Sequence, residues 1–490
     1  MVQPDAGWAL GFYGGVMSRL RILTVLLACC GLVLPGAALG AWSTVLDLGA
    51  HPRSAPELVG YRGGGALMAW VEFAGDRPGV PMEPGAKGVL KTVRRASGGA
   101  GFGAVETPAG TSSNVRVLSS ASDGGGGVAL AWRAGASSSG AHLRIALGTM
   151  AGGLGRPVTL SGLGTLPDSP AQFGGDPTSR PVIALSSHGD ALVAWLARAK
   201  QGCGYVVRAS VRRSGGSFSA GKIVSASCAR AAHPRVALGS DGAGAIAWDA
   251  GPSCPSIVHA CAHEIITLRV TAGRFGPRAA VTRRAAPAAP AIAISPSGPI
   301  YAWRDFLGTS SYGIRGKVFA RAPDSSGRLR ERKALSSSEW ITGTPRLVVG
   351  TDGSVLATWQ ARPRGNPGHV QVVLRPPGAS AFPVAESFPG LGSGGPQVAS
   401  LQAGLSDAAD AGVIHCNSSG RLVLSQRTRS GGLISPEWVG GTIAIAQGPC
   451  AGPSSPAASV AISGAGATLV SAPDGGYGHI WLVERPAPIG

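Results

Sequence analysis

The chain has 490 residues, more than one compact core usually holds, so we expect either several domains or a repeat array. Charged residues make up only 14% of it and apolar residues 44%, a balance that excludes a disordered chain. The formal net charge of +18 favours acidic partners, but no run of five lysines and arginines occurs and aromatic residues are only 6%, so we expect no nucleic-acid partner.

The N-terminal segment predicts an export signal. Two arginines precede an apolar stretch over 22–34, which is too short to span a membrane. Small residues then place the expected cleavage before Ala41, and translation could begin at Met1 or at Met17. Residues 1–40 are therefore a signal peptide with an N-terminal extension. Residues 41–490 form a single domain with no transmembrane segment, secreted or held at the cell envelope.

One pattern recurs along the mature chain: a proline, an apolar strand, a small-residue turn, a second apolar strand and a tryptophan. Residues 181–195 show it clearly, and the unit repeats about every 50–60 residues, the size of a propeller blade. Degenerate copies begin at Pro396 and Pro456. The tryptophans that end the second strands are Trp70, Trp132, Trp195, Trp248, Trp303 and Trp359. We expect them to pack between neighbouring blades, with a carbohydrate-stacking platform as the alternative.

Each repeat continues with an alternating third strand, a Gly-rich turn and a fourth strand. The last repeat stops after its third strand at 480–483, whereas the mature start at 42–48 supplies a strand without a partner. Pairing the two would remove the exposed edges of a linear array. We therefore predict an all-β chain: a β-propeller of about eight four-stranded blades, with seven as the alternative, closed by N-terminal strand pairing into the last blade.

Six of the eight cysteines remain after removal of the signal, and an even number in an exported chain predicts disulfides. The strand register favours the pairs Cys203–Cys228, Cys254–Cys261 and Cys416–Cys450. The loop between Cys254 and Cys261 also holds His259, and His263 follows it. A metal site there is the alternative to a small disulfide loop. We expect no cofactor.

Two turns, at 240–242 before Trp248 and at 351–353 before Trp359, carry a small residue, aspartate and glycine. Through such blades the chain resembles secreted bacterial β-propellers of the sialidase-like type, at the level of fold and over nearly all the mature chain. The family's Asp-box, Ser-x-Asp-x-Gly-x-Thr-Trp, is not matched, because glycine follows the aspartate directly. Its Arg-Ile-Pro motif does not occur either. The family's catalytic residues therefore carry over to no position of this sequence.

Arg116, Arg235 and Arg346 are predicted at equivalent places at the start of first strands. There they would form a basic rim at one mouth of the central channel, suited to an anionic group. Asp249 and Asp305 are expected in inter-strand loops as turn formers. No nucleophile elbow or metalloprotease motif occurs.

We therefore expect an exported, monomeric, non-catalytic β-propeller that binds a polymer or a protein at the cell envelope. An anionic glycan or a cell-wall polymer is the candidate partner. A propeller-type glycan hydrolase or lyase is the alternative, because a propeller can gather carboxylates from distant blades.

Overall fold

The computed structural model describes most of the strands of the chain and the shorter turns between them. The described residues are 43–47, 56–60, 63–73, 88–97, 101–108, 115–135, 142–160, 180–199, 204–227, 230–251, 264–282, 287–310, 313–336, 344–361, 369–388, 402–405, 411–416, 422–428, 433–438, 459–462, 468–473 and 480–485.

The described chain opens with β1 (Ser43–Asp47), and the sheets that follow come one after another in sequence. We call each sheet a blade and number the blades in chain order. The strands of the first four are, for blade 1, β2 (Glu57–Gly60), β3 (Ala66–Phe73) and β4 (Gly88–Arg95); for blade 2, β5 (Val115–Ser122), β6 (Gly127–Ala134), β7 (His142–Thr149), β8 (Gly153–Leu154) and β9 (Val158–Thr159); for blade 3, β10 (Val182–Leu185), β11 (Ala191–Arg198), β12 (Tyr205–Arg212) and β13 (Lys222–Ile223); and for blade 4, β14 (Arg230–Leu238), β15 (Gly244–Gly251), β16 (Glu264–Thr271) and β17 (Arg274–Ala280).

The second half of the chain repeats this arrangement in four further blades. Their strands are, for blade 5, β18 (Pro287–Ser295), β19 (Gly298–Ser310), β20 (Gly313–Arg321) and β21 (Lys333–Ala334); for blade 6, β22 (Arg346–Val349), β23 (Val355–Ala361), β24 (His369–Arg375) and β25 (Glu386–Phe388); for blade 7, β26 (Gln402–Leu405), β27 (Ala411–Cys416), β28 (Leu422–Arg427) and β29 (Leu433–Trp438); and for blade 8, β30 (Ser459–Ile462), β31 (Thr468–Pro473) and β32 (Ile480–Arg485).

Glycines set the tight turns between first and second strands. Gly189 and Gly242 have φ values of 82° and 74°, in the left-handed region that a residue without a Cβ atom adopts without strain. All the described sheet pairings are antiparallel, and consecutive strands within a blade are neighbours, except that β8 and β9 of blade 2 both pair with β7. Blade 1 departs from the pattern: its described residues form three strands, and a single bridge joins Thr92 of the third strand to Glu106.

The two ends of the described chain meet in one sheet. β1 pairs antiparallel with β32, with Ser43 opposite Glu484 and Asp47 opposite Trp481. Arg95 of blade 1 also forms an ion pair of 2.8 Å with Glu484 of blade 8. The first strands contact one another in cyclic order, and β2 of blade 1 contacts β30 of blade 8. The chain is therefore an eight-bladed, all-β propeller, and the predicted N-terminal strand of the last blade is confirmed.

The six second-strand tryptophans form the core between blades. Each is at most 2% exposed. Trp132 packs with Leu67, Ala69 and Val71 of blade 1, and each of the tryptophans in blades 3 to 6 likewise shares a cluster with the preceding blade. Packing between blades is thus confirmed for these five tryptophans, and a carbohydrate-stacking role was wrong for all six, because no glycan could reach rings that are this deeply buried.

Two aspartates expected in loops lie in strands instead. The second strand continues past the tryptophan, so Asp249 falls within β15 and Asp305 within β19, and both are buried. Each has a polar partner, as a buried carboxylate requires. The Nδ1 atom of His233 lies 2.9 Å from Asp249 Oδ2, and the indole of Trp303 donates a hydrogen bond of 3.0 Å to Asp305.

Several predictions fall outside the described residues. Cys203, Cys228, Cys254, Cys261 and Cys450 lie there, and Cys416 ends β27 with its side chain undescribed, so the disulfide pairs stay predictions. The signal peptide and the loop with His259 and His263 also lie outside. Within the described part of the chain, no helix has the length and apolar character of a membrane span, and no group of three or more possible ligands could hold a metal ion.

Candidate functional site

One register position recurs in the first strands of the six blades that carry a second-strand tryptophan. The position is held by the first-strand residue whose partner in the second strand comes immediately before the tryptophan. The residues in this position are Glu57, Ser119, Val182, Arg235, Ala291 and Arg346. Because the first strands contact one another in a ring, these residues surround the central axis of the propeller. Only Glu57, Arg235 and Arg346 in this set are charged.

Arg116 does not belong to this set. A β-bulge between Val115 and Leu118 shifts the register of β5, and Ser119 takes the equivalent position in blade 2. The predicted equivalence of Arg116 with Arg235 and Arg346 was therefore wrong by three residues along the strand. The side chain of Arg116 lies outside the described residues, so its part in a basic rim stays a prediction.

Glu57 connects three blades. Its Oε1 atom lies 3.2 Å from Nη1 of Arg180, which lies two residues before the first strand of blade 3. Its Oε2 atom accepts a hydrogen bond of 3.0 Å from the hydroxyl of Ser120 in blade 2. Side chains from three successive blades converge in this way at their first strands, so the carboxylate lies at the axis of the ring.

Arg346 reaches the same place from blade 6. Its charge interacts with those of Arg235, Glu57 and Arg180, which belong to blades 4, 1 and 3. Arg346 is exposed to solvent at the start of β22, although the neighbouring blades withhold part of the water from its charged end. This desolvation, followed by repulsion from Arg235 and Arg180, lowers the pKa of Arg346 to about 10, against the attraction of Glu57.

We name Glu57, Ser120, Arg180, Arg235 and Arg346 the channel cluster. The channel cluster holds three guanidinium groups and one carboxylate. Burial raises the pKa of Glu57 above its ordinary value, although Arg180, the hydrogen bond from Ser120 and Arg346 all act in the opposite direction. The side chain of Glu57 is still 22% exposed, so the protein surrounds it without sealing it from the channel.

The channel cluster has the chemistry of an anion site. The guanidinium of Arg346 has no hydrogen-bond or ion-pair partner among the described residues. A guanidinium presents a planar fork of donors that matches a carboxylate, sulfate or phosphate group. An anion entering the channel would therefore meet excess positive charge, and the surrounding protein screens this charge less than bulk water would.

Three members of the channel cluster were missed in the sequence: Glu57, Ser120 and Arg180. A signal for two of them existed. Glu57 follows the proline that opens its repeat, in the same way that Arg235 follows Pro234 and Arg346 follows Pro345. Arg180 directly precedes such a proline. The repeat in blade 2 has no opening proline, which is why its register was misplaced.

Comparisons with known proteins add neighbours at low identity. No family model matches the chain, and no curated protein matches it. Among solved structures, it is similar to a lectin from Burkholderia pseudomallei, with 13% identity, coverage of 79% of this chain and 99% of that one, and a TM-score of 0.48.

Two further solved structures are similar to the chain. A polysaccharide lyase has 11% identity, coverage of 76% and 89%, and a TM-score of 0.43. An intramolecular trans-sialidase from Ruminococcus gnavus has 12% identity, coverage of 76% and 93%, and a TM-score of 0.36. The residues of the channel cluster, and not these neighbours, carry the functional proposal below.

Proposed function

We propose that the chain is an exported, monomeric, non-catalytic β-propeller that binds an anionic polymer at the cell envelope through its channel cluster. The observation that carries this proposal is Arg346, a partly desolvated guanidinium without a hydrogen-bond or ion-pair partner among the described residues. It lies beside Arg235 and Arg180, and Glu57 is the carboxylate that they share. Such an arrangement lowers the stability of the empty protein and is relieved when an anion enters.

The charge of the whole chain supports a polymer over a small anion. The formal net charge is +18, and a protein with so strong a positive field attracts polyanions over distances of about 10 Å at moderate ionic strength. The predicted signal peptide would bring the chain to the cell envelope, where acidic polysaccharides and cell-wall polymers occur. Determination of the N-terminal residue of the exported protein tests this part, with Ala41 as the expected start.

A binding titration tests the channel cluster. Dextran sulfate serves as the polyanion and neutral dextran as the uncharged control. The double variant Arg235→Gln/Arg346→Gln should bind dextran sulfate about tenfold more weakly or worse, because two of the three positive charges of the channel cluster are removed. The matched variant Arg156→Gln/Arg328→Gln changes two exposed arginines elsewhere and should bind nearly as the wild type does. Equal losses in the two variants would refute a specific role for the channel.

A glycan lyase is the second candidate, and Glu57 is the observation that favours it. A carboxyl group with a raised pKa beside arginines could exchange a proton with a sugar whose carboxylate the arginines neutralise. Incubation with polygalacturonate tests this, since elimination leaves a conjugated double bond that absorbs ultraviolet light. The binding proposal predicts no such absorbance from the purified protein. Absorbance that grows with time in the wild type and is lost in Glu57→Gln would replace it.

A further inference from the structure

A second charged recess lies far out on the blades, between the fourth strands of blades 3 and 4. It has a volume of about 790 Å³. We call it the rim groove. Its functionally relevant lining residues are Lys222, Ile223, Leu268, Arg274, Phe275 and Arg278. The rim groove is built from β13, β17 and their neighbours, whereas the channel cluster is built from the starts of first strands. The two sites therefore lie at opposite edges of the blades.

The shape of the rim groove follows from unequal outer strands. β13 has two residues, whereas β17 has seven, so the recess has a short regular strand on one side and a long one on the other. The hairpin before β17 turns on Ala272 and Gly273, with φ values of 49° and 74°. Such a two-residue turn holds the following strand close to the third strand of its sheet. The groove is therefore part of the rigid blade framework.

Three cations line the rim groove and are not used elsewhere. Lys222, Arg274 and Arg278 are exposed, and none has a hydrogen bond or an ion pair with another side chain in the described part of the protein. Arg213 lies against the turn at Gly273, since a Cβ atom built there would be 3.1 Å from its Cγ atom. Cations that are not neutralised within the fold remain available to an external anion.

The space between the cations is apolar. Phe275 is half-buried, Ile223 is 48% exposed, and Leu268 is buried beneath them. A ligand must therefore offer both anionic groups and an apolar face. An acidic sugar ring does this, because its acid groups project from a ring whose C–H face can lie on an aromatic side chain. Addition of an acidic peptide as a further strand is disfavoured, because Pro277 lies within β17 and lacks a backbone donor.

We propose that the rim groove is a second binding site, which takes an extended acidic glycan through Lys222, Arg274 and Arg278 with a sugar ring against Phe275. The site is independent of the channel cluster. A polymer long enough to reach both sites would bind far more tightly than either site allows alone, because the second contact becomes intramolecular.

The test uses a heparin tetrasaccharide, which carries sulfates and carboxylates, and a protein that already contains Arg235→Gln/Arg346→Gln. Residual binding in this background reports on sites other than the channel. Adding Arg274→Glu/Arg278→Glu should weaken it about tenfold, whereas Arg156→Glu/Arg328→Glu, with the same net charge, should change it by less than about threefold. Phe275→Ala should weaken it about threefold or more with no change of charge. Thermal unfolding of each variant checks that it is folded.

The outcomes separate the two proposals. Residual binding that depends on Arg274, Arg278 and Phe275 supports the rim groove whether or not the channel binds. Equal effects of the groove variant and its charge-matched control would overturn it. Tighter binding of poly-glutamate than of the tetrasaccharide in the same background would also overturn it, because the ligand would then be a peptide. Loss of binding in the channel variant alone, with the groove variant unaffected, would leave only the channel proposal standing.

Discussion

Replacement of Arg346 by methionine should strengthen the fold and weaken the function. The guanidinium lies among the blades where water is depleted, and Arg235 and Arg180 repel it. Methionine has a similar length and carries no charge, so it removes the repulsion while filling the same space. We expect Arg346→Met to unfold at higher denaturant concentration than the wild type and to bind dextran sulfate less tightly.

The size of the gain follows from the pKa of Arg346, which desolvation and the neighbouring arginines lower from its ordinary value to about 10. Counted in full, that shift corresponds to about 3 kcal/mol. Because the side chain is partly open to solvent, screening leaves about 1 kcal/mol. The sign is set by linkage. The charged form is disfavoured in the folded state, so its cost is present below a pH of about 10 and disappears as the pH rises towards the ordinary pKa of an arginine.

Urea unfolding at neutral pH, followed by tryptophan fluorescence, measures the effect. The six buried tryptophans make this signal report on packing between blades. Arg328→Met, at an exposed position outside the channel, serves as the control and should leave the free energy of unfolding unchanged. A destabilised Arg346→Met variant, or one that binds dextran sulfate as tightly as the wild type, would refute the reasoning that Arg346 is a partly desolvated cation held for an anion.

Three further changes have defined outcomes. Burial raises the pKa of Glu57 above its ordinary 4.5, so binding of a sulfated polymer should become tighter as the pH falls through that raised value. Glu57→Gln carries no negative charge there and should bind tightly at every pH. A wild-type affinity that does not change with pH would contradict this prediction. Trp303→Phe should lower the free energy of unfolding about 1–3 kcal/mol more than Trp132→Phe does. The indole of Trp303 donates a hydrogen bond to buried Asp305, whereas the indole of Trp132 has no partner among the described residues. Equal losses of the two variants in urea unfolding would contradict this prediction. Tyr301→Phe should cost about 1 kcal/mol in the same assay, since the hydroxyl makes a 2.9 Å hydrogen bond to a threonine of the neighbouring blade, and an unchanged midpoint would show that water replaces it.

The repeat made the fold predictable. Spacing from proline to tryptophan marks the first two strands of a blade, and the shortage of one strand at the end of the chain predicts the pairing of β1 with β32. These are local and periodic features, which a single sequence displays directly. Blade 2 shows the limit: without an opening proline, the bulge after Val115 could not be located, and Arg116 was placed three residues from the equivalent position.

The channel cluster was harder to predict, because it depends on contacts between blades that are distant in sequence. Arg235 and Arg346 could be recognised from their common position in the repeat. Glu57 occupies the same position with the opposite charge, so a pattern of recurring arginines does not include it. Arg180 lies two residues before a strand, and its approach to Glu57 depends on how the first strands of different blades are arranged around the axis.

A crystal structure with a bound heparin tetrasaccharide would test the anion site at the channel most directly. We predict density for a sulfate or carboxylate group between the guanidinium groups of Arg235 and Arg346, with the Arg180 side chain turned towards it and its contact to Glu57 lengthened beyond the present 3.2 Å. An empty channel, in crystals where the same tetrasaccharide is bound elsewhere on the protein, would contradict the account.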